Sequence, residues 1–189
     1  MLSSYILLAT PMQTTALPFD ARTAGFTQGS VLQDSKEKTL KVGDLAPEFT
    51  ADKWNGGSIH LVDRKDRVAV VTFWNSTSEQ NQQTLTHLQE LNTKIKADQP
   101  MVWYYVNSGD DDATYSDWMT KNAGKFAGTW GRDSSGTDMA IASKWYNVTT
   151  YPTTFLINSN GRVFAIISGY QTGDTRYSDG LKRIGVKLD

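Results

Sequence analysis

Strand-type and helix-type hydrophobic patterns alternate along the chain from about residue 41 onward. The stretch 67–74 (RVAVVTFW) is β-branched and aromatic with hardly a polar break, as expected of a strand buried on both faces of a sheet. A similar stretch spans 101–107. Between them, four apolar side chains recur at helical spacing: Leu85, Leu88, Leu91 and Ile95. They predict a helix that ends near Ala97, before Pro100.

Further helices follow from capping residues and spacing. Ser76 and Glu79 have the spacing of a capping box, which predicts the start of the first helix. A second helix is predicted at 112–122, with acidic residues at its positive end. The patterns also predict a helix at 137–146 and a short one from about 174 to 184.

Turn residues predict two hairpins. The sequence NGG at 55–57 separates two short strands within 49–62, and NSNG at 158–161 separates strands 153–157 and 162–168. Two strand–helix–strand passes followed by a hairpin and a helix predict an α/β fold with a central mixed β-sheet flanked by helices.

The first forty residues differ from the rest of the chain in composition and in hydrophobic pattern. They are rich in Thr, Ser, Gln and Gly and show no sustained period, so 1–40 is interpreted as an irregular N-terminal extension and 41–189 as the domain. Residues 2–12 are mildly apolar, but the first positive charge is Arg22, so the basic start of a secretory signal is missing. A signal remnant, a disordered arm and a partner-binding arm remain open interpretations.

Composition excludes several classes of function. The 189 residues carry 19 Lys and Arg against 20 Asp and Glu, a balance that does not favour nucleic acid. No apolar run approaches the roughly 18 residues that a transmembrane helix needs. The absence of cysteine excludes disulfides, thiolate nucleophiles and cysteine-ligated metals. The chain has two histidines, and the short run Asp110–Asp112 lacks the ligand spacing of a calcium site, so no metal or other cofactor is expected. The three aspartates are interpreted as helix-capping residues.

Four short motifs in the right order resemble one known family. They are 42–49 (VGDLAPEF), 55–61 (NGGSIHL), 68–81 (VAVVTFWNSTSEQN) and 148–163, which contains YPTTFLIN and NGRV. The chain resembles the extracytoplasmic thioredoxin-like proteins, the TlpA/ResA group related to AhpC/TSA peroxiredoxins. The resemblance covers about 41 to 184. It implies a thioredoxin fold with an added N-terminal hairpin and an extracytoplasmic, periplasmic location.

The active-site motif departs from the family pattern. Phe73, Trp74 and Ser76 match it, but Ser78 and Asn81 stand where the family has its two cysteines. Dithiol exchange needs a thiolate at the helix N-terminus and a second thiol that resolves the mixed disulfide, and peroxidase activity needs a cysteine. The oxidoreductase and peroxidase activities of the family therefore do not carry over, and the chain is not expected to be an enzyme.

Ser78 has a catalytic interpretation and a structural one. It could be an activated nucleophile, or it could be the N-cap of the first helix, a position that serine commonly fills. No Gly-x-Ser-x-Gly motif surrounds it, and His87 lies nine residues further along the same helix. These observations favour the N-cap.

Pro152 also has two interpretations. The resemblance implies that Tyr151-Pro152 is a cis bond facing the former dithiol, and that the backbone just before it, Thr150-Tyr151, pairs with extended peptide. The proline either keeps only the architecture or preserves a peptide groove. Trp74 and Tyr151 either form an exposed aromatic pair there that anchors a partner, or pack in the core like most of the aromatic residues. The candidate binding surface consists of Trp74, Thr77, Glu79 and Gln80.

Two functional hypotheses follow from these features. The first is a redox-inactive, non-catalytic binding or scaffold module, a subunit of a larger assembly, whose protein partners use the former active-site face and the N-terminal arm. The second is a thiol-independent peptide-binding chaperone or enzyme that uses the same cleft. The shortage of catalytic groups at workable spacing favours the first.

Overall fold

The structure is a computed structural model that describes residues 39–64, 66–133 and 141–189. All but the last two residues of the predicted extension 1–40 lie outside these ranges, as do the first four residues of the predicted helix 137–146. The boundary between an extension and a domain at residue 41 therefore stays a prediction.

The described residues form one seven-stranded mixed sheet, which confirms the predicted fold class. The strands are β1 (Thr50–Lys53), β2 (Ser58–His60), β3 (Val68–Trp74), β4 (Met101–Asn107), β5 (Thr129–Arg132), β6 (Thr153–Ile157) and β7 (Val163–Ser168). Their order is β2-β1-β5-β4-β3-β6-β7. The central strands β3, β4 and β5 are parallel, and the strands on either side are antiparallel to their neighbours.

The described residues form three α-helices: α1 (Glu79–Thr93) and α2 (Asp112–Asn122) connect strands, and α3 (Arg176–Arg183) follows β7. The bounds of α2 agree with the prediction, whereas α1 stops before Ala97. Ile95 instead forms an isolated antiparallel bridge with Leu188, so the chain has left the helix there. Ile141–Trp145 forms a π-helical turn at the end of the predicted helix 137–146. No helix among the described residues is long and apolar enough to cross a membrane.

The two faces of the sheet bury different hydrophobic clusters. One face packs against all three α-helices, with apolar side chains from β3, α1, α2 and α3 that include Val70, Leu88, Trp118 and Leu181. The other face is covered by the segment before β1 and by the π-helical turn, through Phe49 and Tyr146 among others. Every residue of β3 is buried, which confirms the expectation for a strand covered on both faces.

Strand β5 was not predicted, because it has four residues and no clear alternation. It joins the parallel centre to the N-terminal hairpin, since Lys53 of β1 pairs with Gly131. A Cβ at Gly131 would lie 2.7 Å from Ile59 Cδ1, so glycine permits the close packing of the hairpin. This contact fixes the hairpin as the outer part of the same sheet.

Candidate functional site

The segment that corresponds to the family's dithiol motif lies at the carboxyl end of β3, where residues 75–78 lead into α1. Ser78 is the N-cap, with extended backbone (φ −117°, ψ 144°), and its Oγ accepts a hydrogen bond from Asn81 N at 3.3 Å. The N-cap interpretation of Ser78 is confirmed. The capping box proposed for Ser76 and Glu79 is wrong, because the helix begins one residue after Ser78 rather than after Ser76.

The two residues at the cysteine positions contact each other. Asn81 is fully buried, and its Nδ2 donates to Ser78 Oγ and, at 2.9 Å, to Asn75 Oδ1. Asn75 Oδ1 also accepts from Thr77 Oγ1 at 2.9 Å and from Thr77 N at 3.3 Å. We call Asn75, Thr77, Ser78 and Asn81 the loop network. It joins the first turn of α1 to the end of β3 through polar groups only.

A buried aspartate anchors the same loop from the neighbouring strand. Asp110 Oδ2 accepts from Ser76 N at 2.9 Å and from Asn107 Nδ2 at 2.7 Å. The backbone oxygen of Asp110 accepts from Arg132 Nη2, which brings in the end of β5. From the sequence, the charge run Asp110–Asp112 is interpreted as helix-capping, and only the position of Asp110 three residues after a buried strand could have indicated this role.

The rest of that charge run caps α2, as predicted. Asp111 is the N-cap residue, and its Oδ1 accepts from Thr114 N at 2.7 Å. This hydrogen bond lowers the pKa of the Asp111 carboxyl below its usual value. Within the described ranges, no three His, Asp or Glu side chains are grouped so that they could hold a metal ion.

Pro152 lies near the carboxyl end of β3, as does the loop network. Thr153 pairs with Phe73 across the β3–β6 ladder, so Pro152 comes opposite the end of β3. The Tyr151-Pro152 bond is cis, and Pro152 O accepts from Gly169 N at 2.8 Å. Tyr151 is half-buried against the core, and burial raises its pKa, whereas Thr150 is exposed.

Trp74 does not lie on the surface, so the interpretation of Trp74 and Tyr151 as an exposed pair is wrong. Trp74 is fully buried, and its ring centroid lies 4.4 Å from that of Trp118 and 5.5 Å from that of Trp130. Successive side chains of a strand point to opposite faces, which directs Trp74 toward α2.

The other candidate surface residues are exposed. Thr77, Glu79 and Gln80 all present their side chains to solvent at the start of α1. Together with Thr150 they form what we call the former active-site face: Thr77, Glu79, Gln80 and Thr150. Ser78, between Thr77 and Glu79, is half-buried, and Thr150 comes two residues before Pro152, which lies opposite the end of β3.

His87 is too far from Ser78 to act as its catalytic base. His87 is nine residues along α1, about 13 Å at the rise of an α-helix. Its ring contacts those of Tyr170 and Tyr177, and burial lowers its pKa. Because Ser78 Oγ already accepts two hydrogen bonds from Asn81, its environment suits a helix cap better than a nucleophile.

Comparison with known proteins places these features in a family. The model of the AhpC/TSA family matches residues 42–166. Thiol-disulfide oxidoreductase ResA of Bacillus cereus is 27% identical over 150 residues, which cover 79% of this chain and 82% of that protein. The protein of the same name from Geobacillus kaustophilus is 30% identical over 137 residues, covering 72% and 75% of the two chains.

Solved structures show the same fold. A thiol-disulfide oxidoreductase from Bacteroides fragilis superposes with a TM-score of 0.60 at 19% identity, covering 75% of this chain and 99% of that one. StoA from Bacillus subtilis gives a TM-score of 0.55 at 22% identity, covering 74% and 97%. The chain is therefore similar in sequence and in fold to proteins named for thiol chemistry, although it contains no cysteine.

Proposed function

The chain belongs to the AhpC/TSA family, and we propose that it is a redox-inactive member that acts as a non-catalytic binding module within a larger assembly. The observation that carries this proposal is the loop network. Ser78 and Asn81, at the positions of the two family cysteines, bond to each other and have no thiol to exchange. A fold that keeps its shape without its reactive groups still offers a rigid surface to a partner.

The proposed partner surface is the former active-site face. The loop network and Asp110 hold the backbone beneath it through hydrogen bonds to the ends of β3 and β4, so its exposed side chains need little ordering on binding. Glu79 and Gln80 begin α1, and the two polar threonines lie beside them. This composition suits a polar, reversible contact with another protein rather than a buried hydrophobic one.

Two further parts of the proposal rest on the sequence. We propose that 41–189 is the thioredoxin-like domain and that 1–40 is an arm that contributes to partner binding. An extracytoplasmic location is proposed from the family resemblance alone.

A second candidate function is a thiol-independent peptide-binding chaperone or enzyme. The exposed Thr150, three residues before β6, supports it, because exposed backbone at the end of a strand can pair with an extended peptide. A chaperone would bind many unfolded chains weakly, whereas a subunit binds one partner in a fixed ratio.

Affinity capture from the native host tests the proposal. We expect one partner to co-purify in a fixed ratio with the wild-type chain and to be lost from Thr77→Arg, which places a bulky charge on the former active-site face. Lys182→Glu, an exposed charge change on α3, is the matched control and should retain the partner. A free monomer under gentle extraction, or equal loss from both variants, would contradict the assignment of this surface.

A further inference from the structure

Strand β7 forms one edge of the sheet, and among the described residues only its beginning is paired on the outer side. Gly43 N donates to Val163 O at 2.8 Å, and Val163 N donates to Asp44 O at 2.9 Å. Leu45 forms a bridge with Arg162 just before the strand. From Phe164 to Ser168, no other strand of the described chain pairs with this edge.

The β6–β7 register shows which backbone groups face outward. Gly169 N donates to Pro152 O, and Ile167 pairs with Thr154, so alternate residues point their N–H and C=O groups toward β6. The backbone groups of Ile166 and Ser168 therefore point to the open side. Ser168 O accepts there from Arg176 Nη1 at 3.3 Å, which supports this assignment and closes the far end of the open segment.

A groove of about 670 Å³ runs along this open segment, between β7 and α3. Its apolar lining includes Phe164, Val42 and Ile166, and the last two are 62% and 38% exposed. Gly180 brings α3 close to the sheet, because a Cβ there would lie 2.4 Å from Leu156 Cδ1. An edge strand with unpaired backbone groups beside a helix is a geometry that accepts an added strand.

The rim of the groove is basic. Arg162, Arg176 and Arg183 line it with the carboxylate of Asp179. Arg176 forms an ion pair with Asp174, so three arginines face two carboxylates, and Arg162 and Arg183 are the groups open to an acidic ligand. The Arg183 guanidinium lies 5.4 Å from the centre of the Phe164 ring, directly above the groove lining. A second copy of the chain added edge to edge would bring these arginines against their own counterparts, which disfavours that occupant.

We propose that the open edge of β7 binds an extended, acidic segment of a partner protein as an added strand. Backbone hydrogen bonds to Ile166 would provide affinity, and apolar side chains of the peptide would contact Phe164 and Val42. Acidic side chains at alternate positions would face the arginines. This surface is separate from the former active-site face, so each proposal can fail without the other.

A fluorescence anisotropy titration of the full chain tests this inference. The probe is a fluorescein-labelled peptide of alternating valine and glutamate, roughly eight residues long to match a strand; the comparison peptide replaces glutamate by lysine. We expect only the glutamate peptide to bind, with affinity that falls as salt rises. Arg183→Glu should weaken binding about tenfold, whereas Lys182→Glu, next to it but outside the groove lining, should change it less than about twofold.

Amide hydrogen exchange supplies a second readout. The outward amide of Ile166 should exchange quickly in the free chain and become protected with the glutamate peptide, while the amide of Ile167, paired with Thr154, should be protected throughout. Equal binding of both peptides, no binding, or an unchanged Ile166 amide would overturn the proposal. A dimer in sedimentation that Ile166→Lys abolishes would identify a second copy as the occupant and would also overturn it.

Discussion

Replacing Asn81 by alanine tests the loop network, because the amide supplies three of its hydrogen bonds. Nδ2 donates to Asn75 Oδ1 and Ser78 Oγ, and Oδ1 accepts from Asn75 N at 3.4 Å. The last bond is long and should contribute little. Two good bonds at about 1 kcal/mol each, with the small cavity left by the amide, give an expected loss of about 2–3 kcal/mol in the free energy of unfolding.

The loss should not be larger, because the former partners of Asn81 keep other contacts. Asn75 Oδ1 still accepts from Thr77, and Ser78 Oγ still accepts from the backbone N–H of residue 81. Neither group becomes a buried, unsatisfied acceptor, which would add about 1–3 kcal/mol. Ser78→Ala is a useful comparison, since loss of the cap alone should reduce stability by about 1 kcal/mol.

Urea denaturation followed by tryptophan fluorescence and circular dichroism measures these differences. The slope of the unfolding transition should stay unchanged, so that the shift in midpoint reports stability. A double-mutant cycle of Asn75→Ala with Asn81→Ala should give a coupling energy of about 1 kcal/mol. A loss below about 0.5 kcal/mol for Asn81→Ala would refute the reasoning, because it would mean that the buried amide does not hold the loop.

Three further predictions have definite expected outcomes. Trp74→Ala should lower the free energy of unfolding by about 3–5 kcal/mol, and the exposed Trp54→Ala by under about 0.5 kcal/mol, in the same denaturation assay. Hydrogen bonds to Arg176 lower the pKa of the Asp174 carboxyl. The carboxylate therefore stabilises the fold above about pH 4, and this stabilisation is lost as the pH falls. Asp174→Asn should make the free energy of unfolding depend less on pH in the acid range, measured by the same denaturation assay. Ser78→Cys with Asn81→Cys should form a disulfide, detected by thiol titration; once dithiothreitol has reduced it to the dithiol, the variant should reduce insulin disulfides and return to its own disulfide, unlike the wild type.

Most of the fold could be predicted from sequence because its signals are local. The buried run of β3, the apolar stripe of α1 and the glycine-containing turns each specify an element without help from distant residues. Strand β5 gave no such signal, since its position depends on pairing with β1 and on the close approach of Ile59 to Gly131.

The candidate site could be predicted only in part. The motif located Ser78 and Asn81, and the residue type of Ser78 predicted the cap. Trp74 is buried because α2 packs over it. Asp110 accepts a hydrogen bond from the backbone of Ser76, which lies more than thirty residues earlier in the chain. Periodicity within a short window contains neither fact.

Site-specific photocrosslinking in the native host tests the central claim that the former active-site face binds a partner without thiol chemistry. A photoreactive amino acid at Thr77 is compared with one at Lys182, which is also exposed but lies on α3. The account predicts one crosslinked protein from position 77, unchanged by thiol-blocking reagents, and none from position 182. Absence of a crosslink at 77, equal crosslinking at both positions, or loss of the product on thiol blocking would contradict it.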